Sequence, residues 1–179
     1  MKNGTVILVA RDPSKENLLF KILGAIIEWR TGSPYTHSGI YVGGYFYDDT
    51  IWIEKGKLHS GVRERTEWID TMSLVREEIV SLTELQAHDL WKFCSWYSQK
   101  EFPYNIAQLA AFLFIYPLRP FLERIGWTPF QKTVDSVCST FIGVARYYAG
   151  LPQIVKNQPP EFDVPGDYAA TTVLRTVKQ

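Results

Sequence analysis

Hydrophobic and polar positions change their period several times along the chain, and each change marks an element. Thr5–Ala10 is a short continuous apolar run rich in β-branched residues, the pattern of a buried strand. Asp12-Pro13 then supplies an N-cap and a first-turn proline. Leu18, Leu19, Ile22, Leu23, Ile26 and Ile27 recur at helical spacing until Gly32, and Ser33-Pro34 is a turn. Strand-like pieces follow. Residues 37–42 lead into Gly43-Gly44, a hairpin signal, and 45–47 and 50–54 fit the return. Residues 58–65 alternate less well, and 74–79 reads as a further strand.

Thr83-Glu-Leu-Gln86 is a capping box and predicts a helix to about Lys100. Its inner stripe is Leu90, Trp91, Cys94 and Tyr97, and Pro103 stops it. Ile106–Ile115 is predicted helical. So is Ser136–Ala149, with Val137, Phe141, Val144, Ala145 and Tyr148 as its stripe and Gly150 as its stop. Pro152, Pro159, Pro160 and Pro165 predict an extended, wrapping tail without regular structure. Short hairpin-linked strands beside helices, with no internal repeat, predict one α+β domain over residues 1–179. It would hold a small, mainly antiparallel sheet packed against helices.

Composition narrows the function classes. Lys and Arg total 19 and Asp and Glu total 19, so the chain carries no net charge and lacks the basic footprint expected of a nucleic-acid binder. Two cysteines without CxxC or CxxH spacing predict neither a disulfide scaffold nor a structural metal site. The apolar run Val6–Ala10 is too short for a leader and ends at Arg11-Asp12, so the chain is expected to start in the cytoplasm. Leu109–Leu118 is the most apolar stretch, too short to span a bilayer. It reads either as a packed helix or as a contact for a membrane, a lipid or another protein.

Chemistry concentrates at Cys138. With Asp135 or Ser136 as N-cap, this thiol falls in the first turn of a helix. Unpaired backbone N–H groups there favour the thiolate and can hold an oxyanion. An ordinary core cysteine is the competing reading, as it is for Cys94 on an apolar stripe. Among three histidines, His37 opens a strand and can be aimed as a base from a rigid element. His59 lies in a Gly- and Ser-bearing stretch, and His88 sits among polar helix neighbours. The imidazole needs a third, orienting group. Glu54, ending a strand expected to pair with the His37 strand, is the first choice, with Asp48, Asp49 and His59 as competitors.

Several of these segments resemble, in order, the permuted NlpC/P60 group of papain-like cysteine hydrolases. Thr36-His-Ser-Gly-Ile-Tyr-Val42 is similar to that group's histidine strand, Asn3–Val9 to its first strand, and Trp52-Ile-Glu54 to its polar-residue strand. Gly61-Val-Arg63 and Glu67-Trp68 resemble the stretch that follows, and Pro103-Tyr-Asn105 the Tyr-bearing motif. Val137-Cys-Ser-Thr-Phe141 resembles the nucleophile helix, and Pro165-Gly-Asp167 the closing motif. Histidine precedes cysteine, opposite to the order in ordinary papain-like enzymes. Ser139-Thr140 stands where many relatives have Ser-Glu, and the apolar segment 104–133 is long.

The resemblance implies a permuted papain-like fold with an apolar insertion around 104–133. It implies a peptidase or amidase using Cys138, His37 and Glu54, with Tyr104 supporting the oxyanion and no metal or organic cofactor. Peptide or peptidoglycan is the expected substrate. The alternatives are a lipid acyl hydrolase or acyltransferase, and a non-catalytic virion component. Small size and the lack of a leader resemble phage-encoded members, delivered in a virion or released at lysis.

Overall fold

The computed structural model describes residues 1–10, 14, 18–55, 57–66, 73–79, 82–100, 102, 118, 121, 124–125, 138–155, 165–170 and 174–177, and the structural statements below concern these. The strands are β1 (Thr5–Ala10), β2 (Tyr35–Val42), β3 (Tyr45–Glu54), β4 (Lys57–Arg65), β5 (Ser73–Ile79) and β6 (Leu174–Val177). The helices, labelled in chain order, are α1 (Leu18–Thr31), α2 (Glu84–Gln99), α3 (Cys138–Tyr148) and α4 (Pro165–Ala170). The architecture is α+β. The strands form one six-stranded sheet in the order β4-β3-β2-β1-β5-β6, and every ladder is antiparallel.

β1 is central, which explains its unbroken apolar run: Val6 and Leu8 enter the main core and Ile7 and Val9 a smaller cluster. On the larger side, Ile40, Val42, Tyr47 and Val62 pack with Leu90 and Cys94 of α2, Phe141, Ile142 and Ala145 of α3, and Tyr168 of α4. On the other, Phe46 and Tyr41 join Ile7 and Val9, the two rings with centroids 5.0 Å apart. Thr83 caps α2 as expected, its hydroxyl accepting from the Gln86 N–H while the Gln86 side chain accepts from the Thr83 N–H.

At the β2–β3 turn Gly43 and Gly44 both adopt positive φ, 63° and 91°, as a two-residue hairpin requires. A Cβ on Gly43 would overlap the Trp91 indole, so the hairpin tip also fixes the position of α2.

Three expectations need correction. Residues 45–54 are one continuous strand, because the polar pair Asp48-Asp49 is buried within it and does not interrupt it. The tail contains α4 and β6, the latter paired with β5. Proline suits the first turn of a helix, so Pro165 starts α4 where extended chain was expected. Finally, Trp91 and Tyr148, placed on inner stripes, are exposed. The expected helix at 106–115 lies outside the described residues.

Candidate active site

Cys138 is the first residue of α3 and is only 6% exposed. The helix is anchored beneath it: Phe141 and Ile142 enter the core, and the buried Tyr168 hydroxyl donates to the Ser139 carbonyl at 3.0 Å. The expected N-caps, Asp135 and Ser136, lie outside the described residues.

His37 lies on β2 beside a register shift in the β1–β2 ladder, where Val9 faces His37 and Ala10 faces Tyr35. Such irregularities re-aim nearby side chains. The β2–β3 ladder comprises only the pairs Val42–Tyr45, Tyr41–Phe46 and Ile40–Tyr47. Beyond it, side chains make the connection. His37 Nε2 lies 3.0 Å from Asp48 Oδ2, and Arg65 Nη2 donates to Asp48 Oδ1 at 2.7 Å. Asp48 is sealed, with 2% of its side chain exposed, whereas 21% of the His37 side chain and 11% of the Arg65 side chain reach solvent. The Cys138 thiol lies near enough to His37 to act on its charge. With Nε2 committed to Asp48, Nδ1 is the ring nitrogen left for the thiol. Cys138, His37, Asp48 and Arg65 thus form one continuous chain of contacts.

Burial opposes charge on His37. The negative charge of Cys138, the hydrogen bond to Asp48 and the Asp48 charge outweigh it, and the imidazole is pushed up to about 10. His37 is therefore an imidazolium at neutral pH, held between two acidic groups.

The structure replaces Glu54 by Asp48 as the carboxylate on His37. Glu54 ends β3, exposed and opposite Lys57. It lies six residues beyond Asp48 along an extended strand, roughly 20 Å away at ~3.3 Å per residue. The sequence reading paired the right strands but put the contact at the wrong end. Of the other candidates, Asp49 neighbours Asp48 on a strand whose successive side chains alternate faces. His59 is exposed and stacks on Trp52, and His88 is exposed beside Trp91. Cys94 is fully buried in the core, and burial pushes its thiol well up, so it stays protonated and inert. Tyr104 lies outside the described residues. So does the 109–118 segment except for its last residue, Leu118, which is exposed.

Arg65 and Tyr168 were not anticipated. A signal for Arg65 was present: residues 57, 59, 63 and 65 are all basic at period two, marking one face of a strand. Tyr168 carried none, since its role depends on a helix that proline-rich sequence concealed.

No protein-family model matches the chain, and no curated protein is detectably similar to it.

Proposed function

We propose that the chain is a cysteine hydrolase of the permuted papain-like NlpC/P60 type, cleaving an amide bond in a peptide or in peptidoglycan. The observation that carries this reading is His37 placed between the sealed Asp48 carboxylate and a thiol at a helix N-terminus. A structural cysteine has no need of an imidazolium held beside it by a buried carboxylate.

In this mechanism Cys138 Sγ attacks the scissile carbonyl, and the first-turn N–H groups of α3 face the developing oxyanion. As the tetrahedral adduct collapses, the C–N bond breaks and His37 gives its proton to the departing amine. Water then attacks the thioester while His37 takes a proton from it. The acid leaves, and thiolate and imidazolium are restored. Asp48 is a positioning residue: it fixes the ring and stabilises its charge. Arg65 in turn fixes Asp48.

The test is hydrolysis of peptidoglycan-derived peptides and short peptide amides, followed by mass spectrometry. The wild type should release products, and Cys138→Ser and His37→Ala should release none. Unchanged turnover in either variant would refute the assignment.

One observation favours a second reading. Leu18, Ile22, Ile26 and Trp29, on one face of α1, are all exposed. Such a face suits a lipid surface, where the same chemistry would act on an acyl substrate. Liposome co-sedimentation separates the two: binding lost on Ile22→Ser and Trp29→Ser supports an acyl substrate, and no binding removes it. Among the described residues no helix is long and apolar enough to cross a membrane.

A further inference from the structure

The net charge of zero conceals a local asymmetry on β4. Alternation places Lys57, His59, Gly61, Arg63 and Arg65 on one face of that strand and Ser60, Val62 and Glu64 on the other. Of the second set, Val62 lies in the main core, while Glu64 is exposed and accepts from the Tyr47 hydroxyl at 2.8 Å. The basic set shares its face with Asp48 and Trp52, since the register sets Arg63 opposite Asp48 and His59 opposite Trp52. It is therefore the face on which Asp48 meets His37.

The cations on this face differ in their partners. Arg65 is committed to Asp48, and Lys57 lies opposite Glu54. Arg63 meets no carboxylate among the described residues. Its guanidinium lies over the Trp52 ring, 5.4 Å from the centroid, while the His59 ring stacks on Trp52 at 5.4 Å and 15°. Trp52 Nε1 is a buried donor without an acceptor among the described residues. A guanidinium held over an indole has lost much of its rotamer freedom, yet it keeps its planar fork of N–H donors. That combination recognises an oxyanion, because the entropy of ordering is spent before the ligand arrives.

We infer that Arg63, held on Trp52, binds an oxyanion of the substrate, a carboxylate or a phosphate group, so that the substrate is anionic near the bond it presents to Cys138. This rests on the hydrolase reading for the word substrate, while the anion site itself does not. Residues opposite each other in a ladder are about 5 Å apart, which puts the anion roughly 10 Å from the catalytic pair, some three residues of extended chain.

The experiment follows indole N–H signals of the full chain by NMR. There are six tryptophans, and Trp52 is identified by the signal missing in Trp52→Phe. Sodium acetate and sodium phosphate are titrated at constant ionic strength against chloride. Acetate or phosphate should shift the Trp52 signal saturably, with chloride inert. Arg63→Gln should weaken binding about tenfold or more, and Arg63→Lys should recover only part of it. The five other signals report that each variant is folded.

Tighter binding of acetate points to a carboxylate substrate, and tighter binding of phosphate to a phosphoryl group. No saturable shift with either anion, or the same curve in Arg63→Gln, overturns the proposal. Cys138→Ser keeps the two readings apart. Anion binding there should equal wild type, whereas the hydrolase reading fails on a different result, turnover that survives the loss of Cys138.

Discussion

Asp48→Asn is the most informative single change, because Arg65 fixes its outcome. Arg65 donates to Asp48 Oδ1 at 2.7 Å, and a guanidinium has no acceptor. An asparagine at 48 must therefore turn its oxygen to Arg65 and its NH2 group to His37. Nε2 of His37 would then have to accept, which puts the remaining ring proton on Nδ1 and leaves that nitrogen unable to take a proton from the thiol. Asp48 is one of the groups that hold the proton on His37 against burial, so the lost carboxylate charge also weakens the hold on that proton.

Loss of a correctly oriented ring costs about 10²–10⁴-fold in rate. Loss of Arg65's buried partner costs about 3–5 kcal/mol in stability. Both effects point to one rescue. In Asp48→Asn/Arg65→Met the asparagine is free to turn its oxygen toward His37, and no buried guanidinium is stranded. The double variant should recover most of the stability and part of the activity. Urea unfolding supplies the first quantity and turnover the second. A double variant no more active than Asp48→Asn, or an Asp48→Asn with wild-type turnover, would refute this account of the Arg65–Asp48–His37 chain.

Other consequences follow from the same structure. Gly43→Ala should destabilise by about 1–3 kcal/mol in urea unfolding, since positive φ and overlap with Trp91 both oppose a side chain. Ser38→Ala should be neutral or stabilising by up to about 1 kcal/mol, because the Ser38 hydroxyl is buried without a hydrogen-bond partner among the described residues. Tyr168→Phe should cost about 1 kcal/mol by removing the bond to the Ser139 carbonyl, with a larger fall in kcat than in KM if the α3 N-terminus shifts. The folded state holds His37 protonated up to about 10 against an ordinary 6.5. Its contribution is therefore complete below pH 6.5 and lost as pH rises through 10. The raised thiol of Cys94 adds a loss in the same direction above its ordinary 9.0. The urea midpoint should fall between pH 7 and 10, and the fall should be smaller in His37→Asn.

The sheet was legible where local pattern and tertiary context agree. The β1 apolar run, the Gly43-Gly44 turn and the Thr83 capping box each specify their element by steric or hydrogen-bond logic that operates within a few residues. Cys138 and His37 were legible for the same reason: one is a thiol at a helix start, the other an imidazole at a strand start. The orienting carboxylate was not, because it depends on where a ladder ends. Pairing of β2 with β3 stops at Ile40–Tyr47, and only that termination puts Asp48 beside His37. Asp48-Asp49 looks like a loop in sequence. It lies inside a strand because Arg65, seventeen residues away, neutralises the Asp48 carboxylate.

The central claim is that His37 activates Cys138, and the rate of Cys138 alkylation by iodoacetamide against pH tests it most directly. Cys94, buried and inert, is the internal control, and peptide mass spectrometry separates the two sites. Cys138 should be alkylated far faster than Cys94 throughout, and His37→Ala should slow it at least tenfold. A rate at Cys138 that His37→Ala leaves unchanged would contradict it.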